Sequence, residues 1–486
     1  MEAISAVLKE RLEKINQLKS QGVVLYQDQF KPTGLIQGLL EPFQEGKQVK
    51  ISGRMMTRRA HGKSAFADLH DHTGKIQIYA KLDTLGKDPF DLFQLLDLGD
   101  ILGIEGSLFV THKGEKTVNV SCFVVLSKIV QILPEKWHGL KDIETRYRQR
   151  YVDLIINEEA RNIFVKRSFI VRSIRFFLDE RGFMEVETPM MQSIPGGARA
   201  RPFVTHHETL DTDLYLRVAP ELYLKRLLVG GFPKVYELNR NFRNEGISTR
   251  HNPEFTMLEV YEAYSDYEGM MNLTEELISN LIKKLHPGTS IPFGEDTIDF
   301  KRPWRRAPFY DLLKEKSGHD WRKGDLKALA KKSGIPLEHY AEDIDILNEA
   351  FDRYVQPHLV NPIFVTDYPA ITTPLAKRKN EAPDLVARFE LFAGKMELAN
   401  AFSELNDPFE QRDRMTKQRE IIGAGKEVDQ DFLRALEYGM PPAGGLGVGI
   451  DRLVMLLTNS LSIRDVILFP QLKPEKHNEQ NEGNGA

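Results

Sequence analysis

The chain has 486 residues, of which 41% are hydrophobic and 28% are charged, so it can bury a large core and is long enough for several domains. Its net charge of −4 gives no overall attraction to phosphate, and any nucleic-acid contact would need local basic patches. The single cysteine, Cys122, excludes an internal disulfide and a thiolate metal cluster. With no signal peptide and no apolar run near the roughly 18 residues of a membrane span, we expect a cytoplasmic protein without membrane contact.

The N-terminal 140 residues predict a helix followed by a small barrel. Residues 1–25 have apolar side chains at helical spacing among lysines and glutamates. From Val49 to about Val130, five short β-rich runs are separated by Gly- and Asp-rich turns, with a helix-like stretch between the third and fourth runs. This order matches the five-stranded OB barrel, a common scaffold for binding single strands.

Residues 141–472 predict a larger α+β domain. The arginine-rich stretch that carries Pro134 and Gly139 is the expected boundary. A long helix from about Glu158 to Glu180 is followed by strand-like runs through residue 264, and residues 265–360 are mostly helical in pattern. The last residues, 473–486, contain no apolar anchor and are predicted to be disordered.

Residues 234–264 predict a hairpin with a functional loop. On the returning strand, period-2 alternation places Phe255, Glu259 and Tyr261 on one face, which a purely structural face would not combine. On the outgoing strand, Arg243 offers a guanidinium fork for phosphate, and Glu245 lies two residues on to orient it. The same pair could also be an ordinary surface ion pair.

Residues 388–408 predict a second hairpin with a metal site. A two-residue turn at Ala393–Gly394 would place Glu390 directly opposite Glu397. Two facing carboxylates repel unless a cation lies between them, and Mg²⁺ with ATP phosphates suits one or two carboxylates. The alternative is two solvated glutamates on an exposed sheet face.

The second strand of that hairpin does not keep all its polar residues on one face. Asn400, Phe402 and Glu404 share a face by alternation, whereas Glu397 falls on the other. If all four serve one pocket, a bulge or bend must intervene.

Residues 444–457 form a glycine-rich segment that enters an apolar helix, with Arg452 near the helix start. Glycines allow a ligand to approach the backbone closely, and the arginine could bind a phosphate. The alternative is a plain loop before a core helix. A P-loop is excluded at Gly62, because Thr57 stands where its first glycine is required.

These segments resemble, in the same order, the three signature motifs of class II aminoacyl-tRNA synthetases: GFMEVETP, FRNE with HNPEFTMLE, and GGLGVGIDRLVML. An N-terminal OB domain is typical of the subgroup for lysine, aspartate and asparagine, and IPGGARARPF, RVAPELYLKRL and NAFSELNDP resemble its lysine member. The resemblance covers residues from about 10 to 472. It implies an antiparallel sheet flanked by helices, and a homodimer formed through the first motif. It also implies an enzyme that uses ATP and Mg²⁺ to convert L-lysine to lysyl-adenylate and pyrophosphate, then loads lysine onto the 3′ end of tRNA(Lys).

The resemblance also implies residue roles. Arg243 would bind the α-phosphate and the amino-acid carboxylate, Phe255 would stack on adenine, and Arg452 would bind the γ-phosphate, with both arginines catalytic. The implied ATP set is Arg243, Glu245, His251, Asn252, Phe255, Glu390 and Arg452. The implied lysine set is Gly197, Glu221, Arg243, Glu259, Tyr261, Asn400, Phe402 and Glu404. The implied Mg²⁺ ligands, which would help to neutralise the departing pyrophosphate, are Glu390 and Glu397.

In the OB region, several arginines and Lys63 surround Phe66 and predict a basic groove beside a stacking ring. By the resemblance, Arg59, Phe66 and Gln77 would read the anticodon. The alternative places Phe66 in the barrel core.

The three glutamates Glu221, Glu259 and Glu404 favour a substrate with two ammonium groups, because buried carboxylates without such a partner are costly. Aspartate would be repelled, which disfavours aspartyl- or asparaginyl-tRNA synthetase. A lysyltransferase acting on an elongation factor is disfavoured by the OB region. A synthetase-like RNA-binding protein without catalysis would be expected to have lost one or more of the arginine and metal-binding residues named above.

Overall fold

The computed structural model describes residues 6–134, 142–198, 200–336, 342–422 and 428–475. The chain divides into two units, residues 1–141 and 142–486. Most of the expected domain boundary, at residues 135–141, and most of the expected disordered tail, at residues 476–486, lie outside the described residues, as do residues 1–5 of the expected N-terminal helix.

The first unit is a closed five-stranded barrel in the strand order β1-β2-β3-β5-β4. Its parallel pair, β3 with β5, closes the barrel, and the expected helical stretch lies between β3 and β4. The elements are α1 (Ala6–Ser20), α2 (Ile36–Leu40), β1 (Gln48–His61), β2 (Ser64–His70), β3 (Lys75–Lys81), α3 (Leu82–Leu85), α4 (Lys87–Leu95), β4 (Ile101–Val110) and β5 (Lys116–Ser127). The OB fold expected from the β-rich runs is confirmed.

Strand alternation determines what the barrel presents to its interior. On β2, Ala65, Ala67 and Leu69 are buried in the barrel core, whereas Phe66 between them is only half-buried. The alternative that places Phe66 in the core is therefore wrong.

The second unit is built around an eight-stranded sheet with helices packed on it. Its helices are α5 (Ile143–Arg148), α6 (Arg150–Ile156), α7 (Glu158–Asp179), α8 (Glu221–Val229), α9 (Tyr267–Leu285), α10 (Phe309–Ser317), α11 (Leu326–Lys332), α12 (Asp343–Tyr354), α13 (Pro408–Ile422), α14 (Gln430–Glu437), α15 (Ile450–Leu457) and α16 (Ile463–Val466), with 3-10 turns at Gln356–His358 and Ala370–Thr372. Its strands are β6 (Met184–Glu185), β7 (Met191–Gln192), β8 (Val204–His207), β9 (Thr212–Leu216), β10 (Lys234–Phe242), β11 (Glu254–Ala263), β12 (Ser290–Phe293), β13 (Asp296–Asp299), β14 (Arg305–Pro308), β15 (Ile363–Pro369), β16 (Leu385–Ala393), β17 (Met396–Ser403) and β18 (Ala443–Gly449).

The large sheet has the strand order β14-β15-β16-β17-β18-β11-β10-β6. Its central pairs are antiparallel, as expected, but β10–β6 and β14–β15 at the two edges are parallel. A long crossover connection joins β6 to β10, and another joins β14 to β15, as parallel pairing requires. Helices α7, α9 and α15 pack together on this sheet, and the shared core includes Ile174, Leu277, Leu398 and Leu453.

Within residues 265–360, the described part of the chain contains four α-helices, as the pattern indicates, and also strands. The strands β12 and β13 pair as a two-stranded hairpin, and β14 extends the large sheet. The sequence pattern did not predict β12 and β13, because proline and glycine at Pro292 and Gly294 indicate a break between helices as readily as the turn of a short hairpin.

The turn between β16 and β17 lies one residue later than the sequence pattern predicts. Gly394 and Lys395 form it, with φ values of 57° and 62°, and Ala393 pairs with Met396. Two successive left-handed residues give the turn type whose twist matches that of the strands it joins. The predicted turn at Ala393–Gly394 is therefore wrong.

This turn and a bulge change the register of the hairpin. Glu390 pairs with Asn400, not with Glu397, which lies opposite Phe392. The register shifts between Leu391 and Phe392, which is the bulge that a shared pocket requires.

Candidate active site

The second unit contains a cavity of about 870 Å³, enough for a nucleotide and an amino acid together. Strands β11, β17 and β18 form its floor, and the loop between β10 and β11 and the start of α8 line its walls. The predicted site residues that line it are Gly197, Glu221, Arg243, Glu245, His251, Asn252, Phe255, Glu259, Tyr261, Glu397, Asn400, Phe402 and Arg452. Glu390 lines an adjoining cavity of about 380 Å³ that shares Glu397, His251 and Arg452 with the first.

The glycines of β18 give the cavity its depth. A Cβ added to Gly445 would lie 1.9 Å from Glu404 Oε1 and 2.7 Å from Tyr261 Cε1, and one added to Gly447 would lie 2.9 Å from Met257 Cε. Side chains at these positions would displace the neighbouring residues of the floor. The alternating Gly445, Gly447 and Gly449 thus belong to a strand that faces the cavity.

One end of the cavity is acidic and buried. Glu259 lines this end and is 5% exposed, and the hydroxyl of Tyr261 donates to Glu259 Oε2 at 3.2 Å. Glu404, which is 1% exposed, does not line the cavity itself, because its Oε1 lies against Gly445 of the lining strand. Burial and the nearby Glu221 raise the pKa of Glu259 to about 8. Burial also raises the pKa of Glu404, against the opposing effect of Lys225. Too little positive charge lies near these carboxylates to stabilise their ionised forms, so this end of the cavity favours a cationic ligand.

Glu221 and Gly197 form the adjoining wall. Glu221 is the first residue of α8 and is buried. Gly197 has φ of 87°, and a Cβ added there would lie 3.3 Å from the Glu221 Cβ and 3.1 Å from the Ala219 Cβ. The structure therefore brings these two predicted residues together, with glycine required by both backbone conformation and space.

Lys225, one turn after Glu221 on α8, is a site residue that the sequence did not reveal. Its side chain is fully buried, and its Nζ donates to Glu221 Oε1 at 2.7 Å and lies 2.5 Å from Glu404 Oε2. Burial lowers its pKa, but the two carboxylates raise it more, so the ammonium stays charged. The i, i+4 spacing could have indicated the pair with Glu221. Only the fold brings in Glu404.

Arg243 and Phe255 form the centre of the cavity. The Arg243 guanidinium lies 5.1 Å from the centre of the Phe255 ring, and its Nε is buried without an acceptor among the described residues. Burial lowers the pKa of Arg243, while Glu245, Glu397 and Glu259 raise it. A half-buried guanidinium with a free Nε donor is suited to an anionic ligand.

The far end of the cavity is basic. Arg452 Nη1 donates to the Glu397 carbonyl at 3.0 Å and to Glu397 Oε2 at 3.3 Å, and Arg452 Nη2 lies 3.2 Å from His251 Nε2. Partial burial and Arg452 lower the pKa of His251, which keeps its ring neutral at pH 7. Asp451 fixes the start of α15 by accepting from the Thr256 N–H at 2.7 Å and pairing with Arg167 at 2.6 Å.

Asn252 and Glu245, both predicted to hold the nucleotide, lie in different surroundings. The Asn252 side chain donates to the Glu254 carbonyl at 2.6 Å and accepts from the Gln471 N–H at 3.2 Å, so it holds the loop in place. Glu245 is exposed at the cavity mouth.

Arg388 is a second residue that the sequence did not reveal. It donates to Asn400 Oδ1 at 3.1 Å and to Glu390 Oε1, and its guanidinium lies 4.6 Å from the centre of the Tyr368 ring. Tyr368 donates its hydroxyl to Glu390 Oε2 at 2.8 Å. Arg388 therefore fixes one residue predicted for lysine and one predicted for Mg²⁺.

In the first unit, the predicted anticodon residues lie on one outer face of the barrel. Phe66 pairs across the strands with Arg59 and with Tyr79, and its ring stacks on that of Tyr79 at 4.5 Å. Gln77, two residues before Tyr79, is on the same face and accepts from the Thr117 hydroxyl at 3.1 Å. Tyr79 extends the stacking surface and was not predicted.

Comparison with known proteins identifies the family of this chain. Residues 142–473 match the model for tRNA synthetases class II (D, K and N), and residues 49–126 match the model for the OB-fold nucleic acid binding domain. Lysine–tRNA ligase of Carboxydothermus hydrogenoformans is 54% identical over 481 residues, which cover 97% of this chain and 99% of the relative. The chain belongs to the lysyl-tRNA synthetase family of class II aminoacyl-tRNA synthetases.

Further relatives agree with this membership. Lysine–tRNA ligase of Pelotomaculum thermopropionicum is 55% identical over 98% of this chain and 96% of the relative. That of Moorella thermoacetica is 51% identical over 98% of this chain and 99% of the relative. The expected fold, enzyme class and lysine–tRNA ligase function are therefore confirmed. Within the described part of the chain, no helix combines the length and apolar character needed to cross a membrane.

Proposed function

We propose that the enzyme activates L-lysine with ATP in the 870 Å³ cavity and then transfers it to the 3′ end of tRNA(Lys). The observation that carries this proposal is the arrangement of charge: buried carboxylates at one end, a partly unpaired Arg243 in the centre and Arg452 at the other end. A dicationic amino acid and a polyphosphate need opposite environments on the two sides of one reacting carboxylate. The cavity provides both.

At the acidic end, we assign the substrate's two ammonium groups to glutamates. Gly197 and Glu221 would bind the α-amino group, and Glu259, Tyr261 and Glu404 would surround the side-chain ammonium. Phe402 would contact the methylene chain, and Asn400, held by Arg388, would assist the carboxylate. An aspartate side chain would meet three carboxylates there and be repelled.

At the basic end, we assign the nucleotide. Phe255 would stack on adenine, and Arg452 would bind the γ-phosphate, with His251 beside it. Asn252 and Glu245 would hold the nucleotide from the loop, Asn252 mainly by fixing the backbone.

Arg243 would act on the reaction itself. The lysine carboxylate attacks the α-phosphorus, a C–O–P bond forms, and the bond to pyrophosphate breaks. Arg243 would contact both the carboxylate and the α-phosphate, so that it holds them together and stabilises the charge that develops on phosphorus. A tRNA 3′-terminal hydroxyl then attacks the acyl carbon and AMP leaves.

Mg²⁺ fits the residues of the adjoining cavity. Burial raises the pKa of Glu390, and the nearby carboxylates Glu397 and Asp352 raise it further, while Arg388 lowers it, so several carboxylates lie close together there. Among the described residues no group of three or more His, Cys, Asp or Glu side chains is arranged to hold a metal, which suits an ion bound mostly by phosphate oxygens. Glu390 and Glu397 would hold Mg²⁺, and bound Mg²⁺ would neutralise charge on the pyrophosphate.

The first unit would bind the anticodon. The outer face with Arg59, Phe66, Gln77 and Tyr79 combines a cation, two stacking rings and an amide. Base stacking on such rings is a general way to hold single-stranded nucleotides.

We also propose a homodimer formed around β6, in the cytoplasm. Met184 on β6 and Phe176 on α7, which packs against this edge strand, are exposed large apolar side chains, 42% and 55% exposed. Exposed apolar side chains grouped along a sheet edge are typical of an interface. A reducing compartment agrees with a single, exposed cysteine.

The test is amino-acid-dependent exchange of pyrophosphate into ATP with lysine, ornithine, aspartate and asparagine. We expect exchange with lysine and its loss in Glu404→Ala. Glu262→Gln is the matched control and should keep full exchange, because Glu262 is a half-buried carboxylate on β11 that is already paired with Lys234. Exchange with aspartate or asparagine would contradict the assignment of the acidic end. Lysine-dependent exchange without charging of tRNA would contradict the second step.

A further inference from the structure

Lys225 brings a positive charge into a pocket that is proposed to receive two more. It is fully buried, its Nζ lies between Glu221 and Glu404, and the Phe402 ring centre is 5.5 Å away. Lysine is rarely buried unless it is paired. Counted together, Glu221, Glu259 and Glu404 with Lys225 leave two net negative charges, which equals the charge of two ammonium groups.

The contacts of Lys225 also control where the carboxylates point. Its Nζ donates to one oxygen of Glu221 and lies beside Oε2 of Glu404, so one ammonium group fixes the positions of both carboxylates. The remaining Glu404 oxygen, Oε1, is buried without a donor among the described residues, and it lies where a Cβ on Gly445 would be. The free oxygen of Glu404 is therefore turned to the strand that lines the cavity.

We propose that Lys225 is a positioning residue for substrate selection: it neutralises one of three buried carboxylates and holds Glu221 and Glu404 so that the pocket matches a dicationic amino acid. This inference rests on the proposed function and extends it. The substrate class follows from the charge count: an α-amino acid with one cationic side chain leaves no net charge on this group of residues, whereas a neutral or acidic side chain leaves buried carboxylates unpaired.

The first experiment compares Lys225→Met, Lys225→Arg and wild type in the pyrophosphate exchange assay. We expect Lys225→Met to raise the KM for lysine about 30-fold or more, because one partner is removed from a buried charge pair. The KM for ATP and kcat at saturating lysine should change by less than about threefold, since the nucleotide end is left intact. Lys225→Arg keeps the charge and should recover part of the lysine KM.

Lys128→Met is the matched control. Lys128 is also fully buried and paired with two carboxylates, Asp97 and Asp100, but it lies in the barrel, in the other unit from the cavity. We expect it to lower thermal stability without changing the KM for lysine. The proposal would be overturned, in favour of a merely structural role, if Lys225→Met raised both KM values and lowered kcat by similar factors and Lys225→Arg recovered none of these changes.

The second experiment is a double-mutant cycle with Glu404→Gln. The double variant carries two net negative charges, as the wild-type group does, and it removes the Glu404 carboxylate that Lys225→Met alone would leave buried without its partner, so it should fold even if Lys225→Met does not. The fold increase in its lysine KM should be about tenfold smaller than the product of the fold increases that the two single variants show. Additive effects would overturn the proposal. If wild type shows no exchange with lysine, the proposed function fails; if wild type is active and the variants show no such split, only the role of Lys225 fails.

Discussion

The buried carboxylate of Glu259 should couple lysine binding to pH. In the free enzyme its pKa is about 8, raised by burial and by Glu221, so at about pH 7 only roughly one molecule in ten has Glu259 ionised. Lysine would bind to the ionised form, because a neutral acid gives no ion pair. Affinity should therefore rise with pH and be about tenfold weaker at pH 7 than well above pH 8, which corresponds to about 1.4 kcal/mol.

Isothermal titration calorimetry with lysine checks this coupling. Titrations between about pH 6.5 and pH 8, in buffers of different ionisation enthalpy, measure both affinity and the protons released. We expect release of about one proton per lysine at the low end of this range, a second contribution if Glu404 titrates with it, and less release as the pH rises. Glu262→Gln should leave the profile unchanged. Affinity that is flat over this range, or proton uptake on binding, would refute the reasoning.

Three other perturbations test separate parts of the structure. Glu259→Gln should raise the melting temperature of the free enzyme by several degrees at pH 8 and abolish lysine-dependent exchange, because an ionised buried carboxylate destabilises the fold increasingly as the pH rises from its unfolded pKa toward 8; unchanged stability would contradict this. Gly445→Ala should lower lysine-dependent exchange about 100-fold by displacing Glu404, whereas Gly38→Ala, where a Cβ meets nothing within 4 Å, should have no effect. Phe66→Ala should raise the KM for tRNA about tenfold and leave pyrophosphate exchange intact; a loss of exchange would place Phe66 in the fold rather than in recognition.

The sequence was most informative where a repeating pattern controls geometry. Period-2 alternation predicted that Phe255, Glu259 and Tyr261 share a face, and all three line the cavity. From the sequence, the alternating glycines of β18 indicated only that a ligand could approach the backbone. The side chains that a Cβ on Gly445 would collide with, Glu404 and Tyr261, come from other parts of the chain. The sequence pattern therefore predicted which residues share a face of a strand, whereas the contacts that explain those residues came from neighbouring parts of the fold.

The details that the sequence did not yield depend on conformation and on long-range contacts. Lys395 adopts a left-handed conformation that its residue type does not favour, so the turn could not be placed correctly, and the cross-strand partner of Glu390 was wrong. In the barrel, basic residues are not all available to a ligand: Arg54 donates to the Gly99 carbonyl, and Arg58 donates to carbonyls at the end of α4. Composition alone cannot separate such structural arginines from Arg59.

Lys225 shows why counting charges along a sequence was incomplete. Three glutamates alone would carry one charge more than a dicationic substrate can balance, and in a buried site the excess would be relieved by keeping a proton. A permanent ammonium beside Glu221 and Glu404 relieves part of this excess without a proton, and the raised pKa values of Glu259 and Glu404 mark the two carboxylates that still lack enough positive charge. The free enzyme is thus less stable at this site than a neutral pocket would be, and lysine, by supplying the missing charge, should stabilise the fold and complete the site in the same step.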